Sequence, residues 1–124
     1  MRTKLLVLTA ALLPVAAFAA GGEVHLDRAN IDVTNKASLQ RGASNFVNYC
    51  LGCHSAKYMR YNRVAADLGL TEQQLIDNLM FTGERPHDTM RIGIKPDDAK
   101  RWFGVVPPDL TLIARSRGAD YIYT

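Results

Sequence analysis

The chain has 124 residues, of which 15 are basic and 12 acidic, giving a formal net charge of +3. Two of the basic residues, Arg2 and Lys4, lie at the extreme N-terminus, so the rest of the chain is nearly neutral. This length accommodates one domain rather than two. The sequence has no basic block and no interleaved aromatic platform, which argues against a nucleic-acid partner.

The first 19 residues have the pattern of a secretory signal peptide. Basic residues precede an apolar stretch that starts at Leu5, and the small residues Ala17 and Ala19 predict cleavage after Ala19. A permanent membrane anchor is the alternative, but the apolar stretch is short for a membrane span. The sequence therefore predicts export to the bacterial periplasm and a mature domain over residues 20–124.

The mature chain opens with GGEVHLDRANIDVTN, which has no helical period and predicts an extended arm. Apolar residues then recur at helical spacing from Leu39 to Cys50. This spacing predicts a first helix of about three turns, with Thr34 or Asn35 as its N-cap.

Three further helices follow in the prediction. Thr71 and Gln74 have the spacing of a capping box, and the apolar face after them predicts a helix that ends at Gly83. Residues 96–104 combine a proline in the first turn with a terminal glycine, which predicts a short helix. Residues 110–118 show helical spacing again. No strand is predicted, so the predicted fold class is all-α.

The stretch YCLGCHSAKYMRY holds both cysteines of the chain, Cys50 and Cys53, with His54 directly after the second. C-x-x-C-H is typical of c-type haem attachment, in which both thiols bond to the porphyrin and the histidine coordinates the iron. A dithiol redox site does not need the histidine and is expected beside a βαβ pattern, which is missing here. A zinc site would need His25, His87 or a carboxylate as a fourth ligand, at irregular spacing. The motif and the export signal together predict one covalently bound haem c.

Four stretches, taken in order, resemble the cytochrome c1 family: CLGCHSAKYMRY at 50–61, FTGERPHDTM at 81–90, AKRWFGVVPPDLTLIARSRG at 99–118 and ADYIYT at 119–124. The second half of this pattern is far more particular than C-x-x-C-H alone. The resemblance implies a class I cytochrome c-like helical domain around one covalently bound haem. Members of this family are the haem subunit of ubiquinol:cytochrome c oxidoreductase.

The resemblance also implies roles for single residues around the haem. Cys50 and Cys53 match the thioether cysteines, and His54 matches the proximal iron ligand, as the motif itself indicates. Pro107 and Pro108 match prolines that pack beside the haem and its histidine. The alternative for the two prolines is that they only start a helix.

Arg117 and Tyr121 match an arginine and a tyrosine that hold a haem propionate. A guanidinium can donate two parallel hydrogen bonds to a carboxylate, and a phenol can add a third. Their spacing of four residues would place both on one helical face. Arg115 fits the same role on spacing alone.

The sixth iron ligand is where the chain departs from the family, whose methionine ligand and membrane anchor helix lie beyond the DYIYT stretch. Met59 follows His54 too closely to reach the other haem face, and Met80 belongs to an apolar helical face. Met90 could reach the iron by chain length. We expect the chain to be a fragment, with the sixth ligand and a C-terminal membrane anchor outside it.

The resemblance implies one-electron transfer without substrate chemistry of its own. Electrons would come from a Rieske iron–sulfur protein, in a complex with cytochrome b, and pass to a soluble cytochrome c at the periplasmic face of the bacterial inner membrane. One alternative is a soluble periplasmic monohaem carrier that uses Met90 or no sixth protein ligand. Another is a peroxidase-type enzyme, for which His87 is the only visible acid–base residue.

Overall fold

The computed structural model describes residues 24–124, so the predicted signal peptide, residues 1–19, lies outside the described part. The helices are α1 (Lys36–Asn45), continued by a π-helical turn (Phe46–Cys50), α2 (Tyr61–Leu68), α3 (Glu72–Asn78), α4 (Pro96–Phe103), α5 (Ile113–Arg117) and α6 (Ala119–Tyr123). Two short strands are β1 (Ala56–Arg60) and β2 (Thr89–Met90). None of the helices within residues 24–124 is long and apolar enough to cross a membrane.

The first helix extends from Lys36 to Cys50, as predicted, but changes geometry on the way. Asn35 is its N-cap, because the side-chain oxygen accepts the Ser38 N–H at 3.0 Å. After Asn45 the helix widens into a π turn, in which the Leu51 N–H donates to the Phe46 carbonyl at 2.9 Å. Such turns are rare and frequently occur at functional sites. Here the π turn leads directly into the C-x-x-C-H motif.

A small antiparallel sheet corrects the prediction of a strand-free, all-α fold. β1 pairs with β2, with Ala56 opposite Met90 and Arg60 opposite Thr89, and the register is irregular between the two pairs. A strand of two residues has no alternation that a sequence pattern could reveal. The fold is therefore mostly helical with one two-stranded sheet, and β1 starts two residues after the haem motif.

Helix α2 is a second element that the sequence analysis did not predict. Its buried residues Tyr61, Ala65 and Leu68 have the i, i+4, i+7 spacing of an amphipathic helix, so the signal was present in the sequence. The free N–H groups of its first turn donate to backbone carbonyls of the loop before β2, and Gly69, at φ 69°, ends the helix. This helix covers one side of the core.

Helix α3 begins as predicted but ends early. Both halves of the capping box are present: the Gln74 N–H donates to Thr71 Oγ1 at 3.2 Å, and the Thr71 N–H donates to Gln74 Oε1 at 2.9 Å. The helix ends at Asn78, not at Gly83. Gly83 packs closely against Tyr61: a Cβ at this glycine would be only 2.7 Å from the tyrosine Cε2. Close packing, not helix termination, explains this glycine.

The core lies between the C-terminal end of α1, helices α2 and α3, and the sheet. Tyr61 and Leu51 are fully buried, and the Tyr61 hydroxyl is hydrogen-bonded to Thr82 Oγ1 at 2.8 Å. The core cluster consists of Val47, Leu51, Ala56, Tyr61, Ala65, Leu68, Leu75, Leu79 and Met90. Because Leu51 lies between the two cysteines, the motif is anchored directly in this core.

The C-terminal part is less regular than predicted. Helix α4 has Pro96 in its first turn and ends at Gly104, at φ 75°, as predicted. The last predicted helix is confirmed as α5, but Gly118, at φ 88° and ψ 158°, separates it from α6. The extended N-terminal arm reaches α6, where the Ala29 N–H donates to Asp120 Oδ1 at 2.9 Å.

Candidate functional site

The C-x-x-C-H motif forms a tight turn after the π-helical segment. The N–H groups of Cys53 and His54 both donate to the Cys50 carbonyl, at 3.0 and 2.8 Å. Cys50 is half-buried and Cys53 exposed, and no disulfide joins them. The buried Leu51 and the doubly accepting Cys50 carbonyl fix the three reactive side chains as one unit.

The His54 ring is oriented by a distant proline. Its Nδ1 lies 2.8 Å from the Pro108 carbonyl oxygen. A carbonyl can only accept, so Nδ1 must carry the proton in this contact, which leaves Nε2 with a free lone pair. A backbone carbonyl on one ring nitrogen is the usual support for a histidine that binds a metal through the other. The arrangement therefore leaves Nε2 available to a metal ion.

A second set of contacts ties the P-P-D-L segment to the chain just after the motif. The Leu110 N–H donates to the Ser55 carbonyl at 2.8 Å. The Asp109 carboxylate accepts the Lys57 N–H at 2.8 Å and the Thr111 N–H at 3.0 Å. The Leu110–Ser55 and Asp109–Lys57 contacts join residues more than 50 positions apart and hold the Pro108 carbonyl beside His54.

The Asp109 carboxylate is ionised in this environment. Partial burial alone would raise its pKa, but hydrogen bonds from the Thr111 side chain and from the N–H groups of Lys57 and Thr111 outweigh it. The net pKa is lowered from the ordinary 3.8. A charged acceptor therefore closes the contact between the two segments at neutral pH.

Pro107 and Pro108 do not start a helix, so the alternative that they serve only as a helix start is wrong. Pro107 is half-buried, Pro108 is exposed, and α5 begins only at Ile113. Exposed apolar side chains flank the pair on both sides, including Val106 and Leu112. A large apolar prosthetic group fits such a segment, because it would cover these side chains.

Arg117 and Tyr121 come together, although the helix between them is interrupted. The expectation of one continuous helical face is wrong, because Gly118 adopts a positive φ. The Arg117 guanidinium carbon still lies 5.3 Å from the centre of the Tyr121 ring, a cation–π contact. Both residues are exposed. Among the described residues, this contact distinguishes Arg117 from Arg115, which sequence spacing could not do.

The three methionines of the described chain pack in or against the core. Met90 is 4% exposed and belongs to the core cluster, while Met59 and Met80 are partly buried against it. Met90 and Met59 also line an apolar cavity of about 410 Å³, together with Leu39, Ala43, Phe46, Val47, Ala56, Tyr61, Val64, Leu79, Leu110 and others. Core packing accounts for these side chains without iron ligation.

A zinc site, one alternative to haem attachment, finds no complete ligand set in the described residues. Within residues 24–124, no group of three His, Cys, Asp or Glu side chains could hold a metal ion, so a zinc site lacks its ligands. His87 and His25 are exposed. The His87 carbonyl accepts a hydrogen bond from the Arg60 guanidinium, which ties its backbone to β1.

Sequence reasoning missed Ser55, Lys57 and Asp109, whose contacts shape the surroundings of His54. The available signal was the aspartate directly after the two prolines, since an aspartate often accepts hydrogen bonds from nearby backbone N–H groups. The hydrogen bond from the Thr111 N–H to Asp109 joins residues two positions apart and could have been predicted. The hydrogen bond from the Lys57 N–H to Asp109 joins distant segments and could not have been predicted from the sequence.

Comparison with known proteins places this geometry in context. A model described as the Cytochrome C1 family matches residues 28–124. The chain is 53% identical over 124 residues to a protein named cytochrome c1 from Allochromatium vinosum, covering 100% of this chain and 51% of that relative. It is 50% identical over 121 residues to a protein of Nitrosomonas europaea named ammonia monooxygenase gamma subunit, covering 98% of this chain and 51% of the relative. The chain thus spans about half the length of these curated relatives.

Proposed function

Because the chain belongs to the cytochrome c1 family, which implies a covalently bound haem c, we propose that Cys50 and Cys53 form the two thioether bonds and that His54 coordinates the iron. The observation that carries this proposal is the 2.8 Å contact between His54 Nδ1 and the Pro108 carbonyl. This contact leaves the Nε2 lone pair of the neutral imidazole free to bind a metal. The turn at Cys50 holds the thiols and the imidazole together.

The bound haem would supply a one-electron couple, whose potential depends on the axial ligands, hydrogen bonding around them and burial. The chain's own residues set those conditions. The Nδ1–H of His54 donates a hydrogen bond to the Pro108 carbonyl, which makes the imidazole a stronger ligand. Arg117, with Tyr121 beside it, offers a positive charge to a propionate. Pro107 and Pro108 would pack beside the haem and its histidine, as the family resemblance implies.

The wider role is electron transfer within a respiratory ubiquinol:cytochrome c oxidoreductase. Electrons arrive from a Rieske iron–sulfur protein in a complex with cytochrome b and leave to a soluble cytochrome c. The domain, residues 20–124, would work at the periplasmic face of the bacterial inner membrane after removal of a signal peptide, residues 1–19. Family membership supports this role.

We also propose that residues 24–124 do not supply the sixth iron ligand. Met90 is buried in the core, and its backbone pairs with β1. In the 124-residue protein the ferric haem should therefore lack the near-infrared sulfur-to-iron charge-transfer band expected of methionine ligation. A band that is present, and that disappears when Met90 is replaced by leucine of similar volume, would assign the ligand to Met90 and favour a soluble monohaem carrier.

The respiratory role is tested by single-turnover kinetics in membranes. Ubiquinol should reduce the haem of this protein, and added soluble cytochrome c should reoxidise it. His54→Ala should abolish the reaction by removing an iron ligand, whereas His25→Ala, at an exposed histidine of the arm, should not. A covalently bound haem that ubiquinol cannot reduce would contradict the respiratory role while leaving the haem assignment intact.

A further inference from the structure

Asp109 joins two segments that meet at His54. Its Oδ2 accepts the N–H of Lys57 in β1 at 2.8 Å, and its Oδ1 accepts the N–H of Thr111 at 3.0 Å. One carboxylate thus bonds both to the strand after the haem motif and to its own segment. Hydrogen bonds to a charged acceptor are stronger than those between neutral groups.

The position of the Pro108 carbonyl depends on these contacts. Proline has no N–H and a fixed φ, so Pro108 cannot anchor itself through its own backbone donor. The anchors come from the next two residues: the Asp109 carboxylate and the Leu110 N–H, which donates to the Ser55 carbonyl at 2.8 Å. The contacts of Asp109 and Leu110 therefore hold in place the carbonyl that accepts from His54 Nδ1.

We propose that Asp109 is a positioning residue for His54 and that it tunes the reduction potential through the Pro108 carbonyl. The inference rests on the proposed function, in which His54 coordinates the iron. The two N–H contacts of Asp109 keep the Pro108 carbonyl 2.8 Å from His54 Nδ1. The hydrogen bond to this carbonyl makes the imidazole more basic. A more basic ligand favours the oxidised iron. Loosening Asp109 therefore raises the reduction potential.

Asp88 provides a matched control elsewhere in the fold. Its carboxylate also accepts two backbone N–H groups, from Glu84 at 3.1 Å and Arg85 at 2.8 Å. Its own carbonyl, however, accepts the Tyr61 N–H at the start of α2, far along the chain from Pro108. Both N–H groups bond to the same Asp88 oxygen, so Asp88→Asn removes the charge from a carboxylate that accepts backbone N–H groups without loosening the carbonyl beside His54.

The test compares three variants of the haem-loaded protein: Asp109→Asn, Asp109→Glu and Asp88→Asn. The glutamate variant keeps the negative charge but moves the carboxylate by one methylene, so it separates positioning from simple charge. The measurements are the reduction potential and the solvent exchange of the His54 Nδ1 proton, followed by NMR of the paramagnetically shifted ring signals. The second readout reports on the bond to Pro108 itself, which a general loss of stability would not change selectively.

Both Asp109 variants should raise the potential and speed Nδ1 proton exchange by about tenfold or more, whereas Asp88→Asn should change neither. An Asp109→Glu protein with wild-type potential and exchange would overturn the inference and leave charge as the only effect of Asp109. Equal effects of Asp88→Asn and Asp109→Asn would overturn it as well. Absence of shifted His54 ring signals in the wild-type protein would instead reject His54 as the iron ligand, and the inference with it.

Discussion

Leu51 is the point at which the haem motif enters the hydrophobic core, and truncating it tests that connection. Its side chain is 0% exposed and belongs to the core cluster with Val47, Tyr61 and Leu75. The residue lies between the two cysteines, where the motif itself allows any side chain. Its burial shows that the fold, not the attachment chemistry, selects an apolar residue here.

The magnitude of Leu51→Ala follows from the atoms removed. The change deletes three carbon groups, which at about 0.8 kcal/mol for each buried group costs about 2.4 kcal/mol in transfer free energy. Incomplete collapse of the surrounding core adds a cavity cost, so the free energy of unfolding should fall by about 2.5–5 kcal/mol.

The measurement is denaturant unfolding of the haem-loaded protein, followed by far-ultraviolet circular dichroism. Gly93→Ala is the control outside the motif, because a Cβ at Gly93 would meet nothing within 4 Å. It should change the free energy of unfolding by less than about 0.5 kcal/mol. A loss below about 1 kcal/mol for Leu51→Ala, or equal losses for both variants, would refute the anchoring of the motif in the core.

Three further predictions concern packing, acid stability and charge. Gly83→Ala would place a Cβ 2.7 Å from an aromatic ring carbon, so the free energy of unfolding should fall by about 1–3 kcal/mol in the same denaturant assay. Gly42→Ala is the control: it adds a Cβ in open space within α1 and should raise the free energy of unfolding by about 0.5–1 kcal/mol. Because folding holds the pKa of Asp109 below its ordinary 3.8, its contribution to stability is complete above that pH and is lost as pH falls through the folded-state pKa. Acid titration of Asp109→Asn should therefore show a flatter loss of stability below about pH 4 than the wild-type protein, and parallel curves would contradict this. Arg117→Gln should leave a propionate less compensated and lower the reduction potential by more than Arg115→Gln, and equal shifts in potentiometric titration would reject the propionate contact.

The parts of the fold that local chemistry determines were predictable from the sequence. Thr71 and Gln74 form a capping box because the two residues contact each other within one turn. Gly104 ends α4 because a glycine adopts positive φ without strain. The C-x-x-C-H turn is similarly local, since its hydrogen bonds join residues three and four positions apart.

The parts that depend on distant contacts were not predictable. β2 is a two-residue strand, and its pairing with β1 depends on the fold bringing Met90 beside Ala56. The break between α5 and α6 at Gly118 was missed because the four-residue spacing of Arg117 and Tyr121 continues across it, although the helical backbone stops there. The support of His54 by Pro108 joins residues 54 positions apart, so it was available only through family resemblance.

The central claim is that Cys50 and Cys53 carry a covalently bound haem, and peptide mass spectrometry tests it most directly. Trypsin should release residues 42–57, which contain both cysteines and His54, from protein matured in a bacterial periplasm. We predict that this peptide carries the added mass of one haem, and that changing either cysteine to alanine removes one of the two attachment bonds. A peptide with two free thiols or one disulfide, from protein that has passed through a working haem-attachment system, would contradict the claim.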